Sequence, residues 1–531
     1  MDGWLMGKKV LALVASVALA VAVAAFAPAL GAAFLTAIGT TTATALATAA
    51  ATGLVAATLS LAGGLIIQQL APNPSTKTQP INFRNPNSNS SIVIGRRRVG
   101  GPMVFFHPRK VGSDTFRYFV FACAGHRCQG VARWYLGDEV VTVDGSGMVT
   151  SGPYAGAAWL WFQRGTADQA ANSTFVAECD GKWTSNHRGR GVAAIYAKFK
   201  LTKAVIEAGM PTISAEIEGA DEIRDPRDDS VGWTDLAVPA AYWWLQLPRE
   251  EGGFGASADE IPDDTLLSAW TNICDEDVEL PDSGTEKRYT LNALIETGGQ
   301  PSAIRDSLVA CMAGQHACIG GVYWMRPGYW VPATASLKEE DLTGGFSLPL
   351  LLETEQFATE VSGTFIDPDN LYQPQPVPTR SISEADVVQA DYELPHITSH
   401  TQGQRVLEIM LRRGQCEKRV NWPMNFSGLA VQAMQTVTID TARYGLGNYA
   451  FCVDDWQLGQ DFGVSLLLRE ENPEIYDFAV EDYKPKSGSA TVATPDPVET
   501  IADSAATAGA VGSYDAAALA ALEARIAALE P

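Results

Sequence analysis

The chain has 531 residues, room for several domains at roughly 100–200 residues each. Hydrophobic residues make up 46% of it and aromatics 9%, which supports packed cores and excludes a wholly disordered chain. With 61 acidic against 38 basic side chains the net charge is −23, which excludes non-specific attraction to nucleic acid or anionic lipid. Eight cysteines are too sparse for a disulfide scaffold.

The first segment, residues 1–72, is apolar and rich in Ala and Thr. No charged residue and no histidine occurs from Val10 to Thr76, directly after Lys8 and Lys9. Two apolar runs, divided near Pro28, each approach the roughly 20 residues that cross a bilayer. In the second run, Ala43 to Leu70, small or weakly polar residues recur every fourth place: Thr44, Thr48, Thr52, Ala56, Ser60 and Gly64. On a helix they line one face, which lets apolar helices pack closely. Three readings fit. One is a helical hairpin buried in an assembly and able to meet a membrane later; the others are a resident membrane anchor and a secretory signal cleaved near Ala25–Ala29. The hairpin is favoured, because a signal's apolar core is about 7–15 residues, and a composition dominated by Ala, Gly and Thr makes insertion marginal.

A polar linker (73–91) precedes a first β domain (92–260), which carries an inserted β subdomain at about 144–190. Strands are predicted at Ile92–Ile94, Met103–Phe106 and Phe116–Cys123, with a turn from Gly95 to Gly101. Alternation predicts a strand over Trp134–Val143, closed by the tight turn Asp144–Gly147. Further strands follow at Val192–Phe199 and Thr212–Glu218, then a turn at Asp225-Pro226-Arg227. An α+β domain (261–345) comes next. Asp263 and Asp264 can cap a helix whose apolar face is Leu266, Leu267, Trp270, Ile273 and Cys274. Pro301 opens another, with Ile304, Leu308, Val309 and Met312 inward and Gly314 ending it. Strand patterning resumes at Ala317–Trp324.

The second β domain (346–485) holds a helix at Gln404–Arg413, with Val406, Leu407, Met410 and Leu411 on one face. Arg412 and Arg413 suit its negative end and Gly414 stops it. Alternating strands run from Arg419 to about Leu468. A Ser/Thr/Ala/Pro-rich linker (486–512) leads to residues 513–531, where Leu519, Leu522, Ile526 and Leu529 are spaced three, four, three. That is a coiled-coil seam, too short to hold a helix alone, so it requires chains already held together. The whole reads as an α+β, multidomain chain with mainly antiparallel sheets and short helices.

Catalytic and cofactor signatures do not occur: there is no nucleophile elbow, phosphate loop, His-Glu-x-x-His or dinucleotide fingerprint. Cys123, His126 and Cys128 have metal-like chemistry but no second half-site, so they read as small buried groups on two strands about Gly125. Cys311, His316 and Cys318 suggest a thiol–imidazole pair, but read better as a helix-face cysteine and a strand. Arg96-Arg97-Arg98 reads as a solvated strand end or an ion-pair partner in an interface. Trp159 and Trp161 share a strand face and read as core or subunit-interface packing; Trp243, Trp244, Trp324 and Trp330 join no evident sugar platform. No catalytic residue, cofactor or metal is assigned, and the chain is read as a non-enzyme.

Several segments, in order, resemble one family. Ile94-Gly95-Arg96-Arg97-Arg98-Val99-Gly100-Gly101-Pro102 resembles the opening of phage tail-tip central hub proteins, the tip-attachment or host-specificity protein J-like family. Phe119–Val143, with Ala124-Gly125-His126 and Trp134-Tyr135-Leu136-Gly137-Asp138, is similar to that family's next strands. Arg188-Gly189-Arg190-Gly191-Val192, Gly209-Met210-Pro211-Thr212-Ile213 and Asp225-Pro226-Arg227 follow in its order. Phe365-Ile366-Asp367-Pro368-Asp369-Asn370-Leu371-Tyr372 and the unit from Gln404 resemble its later hub domain. The resemblance covers about 92–480 and implies barrel-like domains in a homotrimer that matches a six-fold tail tube. It implies a structural virion protein of the tail tip, assembled in the host cytoplasm, that closes the tube and opens for DNA ejection. Implied partners are tail-tube ring proteins, other tip proteins, the tape measure protein, a central fibre and, on infection, the host envelope. DNA passes without specific binding. No fibronectin-like or receptor-binding module follows, so receptor recognition is not expected of this chain. Two alternatives stay open: a bacterial envelope protein anchored by residues 10–70, and a tail-borne wall hydrolase.

Overall fold

The computed structural model describes residues 89–346, 358–382, 388–416, 418–441, 444–447, 449–459 and 462–486. The Thr44–Gly64 stripe and the seam of Leu519, Leu522, Ile526 and Leu529 lie outside the described residues.

The chain opens with β1 (Ser91–Ile94), β2 (Arg96–Val99), β3 (Met103–Val111), β4 (Asp114–Ala124), β5 (Cys128–Leu136) and β6 (Glu139–Val141). It continues through β7 (Ala158–Gln163), α1 (Ser173–Glu178), β8 (Ala193–Lys200), α2 (Lys203–Ala208) and β9 (Ile213–Ala220). Two antiparallel four-stranded sheets result, ordered β2-β9-β5-β6 and β3-β4-β8-β7. Their inward positions meet in one core, Val99, Leu136, Ile213 and Ile217 against Phe121, Leu160, Ile195 and Phe199. On its other face the β3–β7 sheet carries a smaller cluster, Tyr118, Phe175, Trp183 and Tyr196, which α1 helps to cover. This sandwich corrects the barrel-like expectation: among the described residues no barrel closes. Closure needs bonding along both pairs of sheet edges; bridges at Met148 and Val149 tie the chain just after β6 to β7, but among the described residues no ladder joins β2 to β3.

The expected turn at Gly95–Gly101 is also corrected. Gly95 is a kink (φ +63°), and β2 follows at once, bonded to β9 from Arg96↔Glu218 to Val99↔Ala215. A Cβ at Gly95 would sit 2.3 Å from Asn292 Oδ1 and 2.4 Å from the Leu291 carbonyl oxygen, so only glycine fits. The alternation over Trp134–Val143 is broken by a turn at Gly137-Asp138, while the Asp144–Gly147 turn forms as expected, with the Asp144 carboxylate accepting from Ser146 N and Met148 N.

The middle region comprises β10 (Ile223–Arg224), β11 (Val231–Gly232), α3 (Ala237–Gln246), α4 (Asp264–Asp275), β12 (Asp277–Glu279) and β13 (Thr285–Lys287). β14 (Ala293–Glu296), α5 (Pro301–Ala310), β15 (Gln315–Ile319) and β16 (Val322–Arg326) complete it. Asp263 caps α4 by accepting from Leu266 N, and Leu267, Trp270 and Cys274 are buried. Pro301 occupies the first turn of α5, which buries Leu308 and Val309. α3 escaped sequence reading because it is buried nearly all round, leaving no polar face to set a period. Ala317–Trp324 is a hairpin about Gly320-Gly321 rather than one strand. β1 pairs with β14, stitching the opening strand to this region.

The last region holds β17 (Ala335–Lys338), β18 (Glu360–Asp367), β19 (Gln373–Ser381), β20 (Gln389–Leu394), α6 (His400–Gly414) and β21 (Arg419–Met424). β22 (Thr436–Asp440), β23 (Ala450–Leu458) and β24 (Val464–Glu471) follow. A five-stranded sheet, β17-β22-β23-β24-β21, packs its own core around Trp422, Phe451 and Leu466. A three-stranded sheet, β19-β18-β20, carries α6, whose Val406, Leu407 and Leu411 join Trp244, Trp270 and Leu308 in the largest core. α6 starts at His400, four residues before Gln404, with Ser399 accepting from Gln402 N. Its first turn buries Thr401, Gln402 and Gln404 through hydrogen bonds, so polar residues there did not announce a helix. The architecture is α+β with mostly antiparallel sheets; β17–β22 and β18–β20 are parallel.

Candidate functional site

The arginine run sits where the first sandwich meets the α6 unit. Side chains alternate along β2, so Arg97 faces away from Arg96 and Arg98. Arg96 pairs with Glu218 at 2.8 Å and lies 5.1 Å from the Trp233 ring. Arg98 is buried, donating to Ser214 Oγ at 2.9 Å and to the Gly137 carbonyl at 2.6 Å over the Tyr135 ring. Arg97 donates to the Pro395 carbonyl at 3.2 Å beside Tyr372, and burial lowers its pKa to about 10. The solvated-end reading therefore fails for Arg97 and Arg98, while Arg96 keeps its ion pair. These guanidinium groups hold parts of the chain together.

Around Arg97 the junction is polar and buried. Asn292 Oδ1 accepts from Arg96 N at 2.7 Å, its Nδ2 donates to Thr398 Oγ1 at 2.9 Å, and its N donates to the His396 carbonyl at 2.9 Å. His396 Nε2 lies 3.1 Å from Ser307 Oγ; burial, then the Arg97 charge, push its pKa down to about 3. Leu371 and Tyr372 close the Asp367–Tyr372 turn at φ +54° and +63°. Two left-handed non-glycine residues cost about 1–3 kcal/mol each, so the contacts of Tyr372 must hold them there.

Neither Cys/His cluster is arranged for chemistry. His126 Nε2 accepts from Val93 N and Nδ1 donates to the Arg127 carbonyl, both at 2.9 Å, so both nitrogens are engaged. Burial lowers the His126 pKa and pushes the Cys123 thiol up to about 12, disfavouring metal-binding thiolate. Cys311 donates its S–H to the Ser307 carbonyl, while His316 pairs with Asp306 at 3.0 Å and Cys318 is exposed on β15. Among the described residues no group of His, Cys, Asp and Glu is placed to hold a metal ion. Trp161 donates to the Ser146 carbonyl at 2.9 Å and meets Phe175 edge-on, which is packing; Lys198 Nζ lies 5.0 Å from the Trp159 ring. Trp244 and Trp270 are core residues, and Trp270 meets the half-buried Trp324. Trp243 packs on His126.

A second node fastens the segment Tyr476–Lys486. Arg405 on α6 donates to Glu286 Oε1 at 2.5 Å, to Tyr483 Oη at 2.6 Å and to the Arg288 carbonyl at 2.9 Å. Ser399 and Thr401 each donate to Glu286 at 2.6 Å. The Gln404 amide bonds both the N–H and the carbonyl of Lys484, and Lys486 reaches buried Asp367 at 2.6 Å. A shallow cleft of about 480 Å³ lies nearby, lined by Arg412, Gln415, Glu470 and Asp477. Arg412 is already bonded there to Glu408 and to the Glu474 and Asp477 carbonyls.

Exposed apolar side chains gather in two kinds of place, and sequence reasoning had no signal for either. Val104 and Phe106 stand on edge strand β3 and Tyr392 on edge strand β20. Phe426, Leu429, Leu458 and Phe462 lie exposed on the loop end of the five-stranded sheet, with the Phe426 and Phe462 rings 6.4 Å apart. Such patches mark contact surfaces in assemblies.

Residues 352–454, from before β18 into β23, match the family model described as putative phage tail protein. No curated protein matches the chain. A chain in the virion of the native gene transfer agent particle has a similar fold: TM-score 0.54 and 16% identity, over 82% of this chain and 99% of that one. A tail protein from Neisseria meningitidis MC58 aligns over 75% of this chain and 99% of its own at 10% identity and TM-score 0.28. The 43 kDa tail protein of prophage MuSo2 from Shewanella oneidensis aligns over 73% and 96%, also at 10% and 0.28; neither adds to the fold assignment.

Proposed function

We propose that this chain is a structural virion protein of a phage-type tail, acting as the trimeric central hub of the tail tip. The observation that carries the reading is the tail-family match over 352–454, within a fold that aligns over 82% of this chain with a gene transfer agent virion chain. In this reading the hub joins the tail-tube rings and other tip proteins, closes the tube, and opens for DNA ejection. Its net charge of −23 lets DNA pass without adhering. The role is mechanical, without turnover. Purified particles labelled by antibody against residues 89–486 should show label at one tail end, and full-length chain should form trimers by light scattering. Label on the cell envelope without particles, or wall-degrading activity from the purified chain, would overturn the reading.

The terminal segments extend the proposal. Residues 10–70 act as helices held within the hub or tube and delivered to the host envelope, with close packing provided by the Thr44–Gly64 stripe. Thr52→Asp should leave particles assembled but cut DNA delivery, since a central Asp costs about 2.5–3.5 kcal/mol in a bilayer. Particle chains that start after Ala27 would instead establish a cleaved signal. The seam of Leu519, Leu522, Ile526 and Leu529 closes a short trimeric bundle that mounts a fibre. Deleting residues 513–531 should spare hub folding and detach whatever lies distal; a truncated hub that fails to fold would sink this.

A further inference from the structure

β3 and β20 are edge strands: β3 is bonded to β4 and β20 to β18, and among the described residues neither has a second ladder partner. Each outer edge therefore presents a row of backbone donors and acceptors, a template for another strand unless charge, proline or cover blocks it. The opposite edge of the β20 sheet shows such blocking. β19 carries Pro374, Pro376 and Pro378, which remove its donors. β3 has a single proline, Pro108, and β20 has none.

Side chains alternate across these two edges in a complementary way. On β3, exposed Val104 and Phe106, the latter 47% exposed, share a face with Pro108 and Lys110, and His107 and Arg109 share the opposite face with the half-buried Phe105. On β20, Ala390, Tyr392 and Leu394 share an apolar face, with Tyr392 38% exposed, and Asp391 and Glu393 share an acidic one. Burial and the neighbouring Asp391 raise the Glu393 pKa. His107 and Arg109 are held in place through Asp180, at 3.2 and 3.4 Å, and Arg109 also donates to the Glu178 carbonyl. A guanidinium has five donors, so Arg109 keeps capacity for a carboxylate across the edge.

We propose that β3 of one subunit pairs with β20 of the next copy, so that a single sheet crosses the subunit boundary. This rests on the ring reading above and names its contact. Two different edges on one chain make a heterologous contact, which closes a ring when the rotation fits; a self-paired edge would give a two-fold dimer. Self-pairing of β3 or of β20 also sets like charges on facing strands, which is unfavourable. The period of two keeps the Val104 and Phe106 face of β3 with the apolar face of β20, Phe106 near Tyr392, and sets His107 and Arg109 against Asp391 and Glu393.

The test uses full-length chain with Cys318→Ser, which removes the one exposed thiol. Two versions, Phe106→Cys and Tyr392→Cys, are co-expressed and treated with a short bis-maleimide. A covalent pair containing one chain of each kind is expected, with the 106–392 link found by mass spectrometry and at least tenfold less product from either version alone. Amide exchange of the unsubstituted chain gives an independent reading: on assembly, β3 and β20 amides should slow at least tenfold. An oligomer that lacks the 106–392 link, with its slowed amides elsewhere, overturns the pairing and leaves the ring reading standing. A chain that stays monomeric overturns both.

Discussion

Replacing Arg405 with methionine removes a guanidinium from the middle of α6 while keeping most of its packing volume. The side chain is 2% exposed and its Glu286 partner 20%. Without it, Glu286 keeps only the Ser399 and Thr401 hydroxyls, and the Arg288 carbonyl and Tyr483 hydroxyl lose their donor. Removing one partner of a buried pair costs about 3–5 kcal/mol; water reaching Glu286 offsets part of this, so about 3 kcal/mol is expected. Glu286→Gln keeps an acceptor oxygen and should cost about 1–2 kcal/mol. The double variant should lose less than the two single losses together, with a coupling of about 1–3 kcal/mol. A chain of several cores does not unfold in one step, so the readout is amide exchange in α6, β13 and Tyr476–Lys486, which reports local opening. Losses below about 1 kcal/mol for R405M, or full additivity in the double variant, would refute the claim that this pair fastens the segment.

Four other outcomes follow from the same geometry. The His396 pKa is depressed to about 3 in the fold against 6.5 when free, so its contribution to stability is whole above pH 6.5 and lost as pH falls toward 3. His396→Gln should remove up to about 1.4 kcal/mol per pH unit of acid sensitivity from that window; an unchanged profile would refute it. His126→Phe leaves the Val93 N–H without its acceptor and should cost about 1–3 kcal/mol by denaturant titration of the first sandwich's tryptophan signal, whereas a neutral result would mean the bond is dispensable. Of eight thiols, one, Cys318, should react promptly with a thiol reagent in the native chain, and Cys318→Ser should abolish the fast phase. Gly95→Ala forces a Cβ against Asn292 and the Leu291 carbonyl and should cost more than about 3 kcal/mol, seen as loss of soluble native chain.

Contiguous signals were read correctly from the sequence because their physics is local. The Asp263 cap, Pro301 at the start of α5, the Asp144–Gly147 turn and the strand-forming runs of β4, β8 and β9 each act within a few residues. Cys123, Cys128 and Cys311 go inside as small apolar groups on strand and helix faces, whereas Cys318 is exposed on β15. Local reasoning failed where burial comes from distant chain. α3 has almost no polar face because a β-hairpin and helices enclose it on nearly every side, and the start of α6 is polar because its Thr and Gln side chains bond to Glu286, Thr290 and Lys484. The arginine run shows the limit most plainly. Its charge and alternation were legible, but that Arg97 meets Pro395, 298 residues away, is decided by how two sheets and a helix stack. Which edges remain open, β3 and β20 among them, likewise depends on strand order, and strand order is settled by the summed packing of residues far apart in the chain rather than by any one segment's preference.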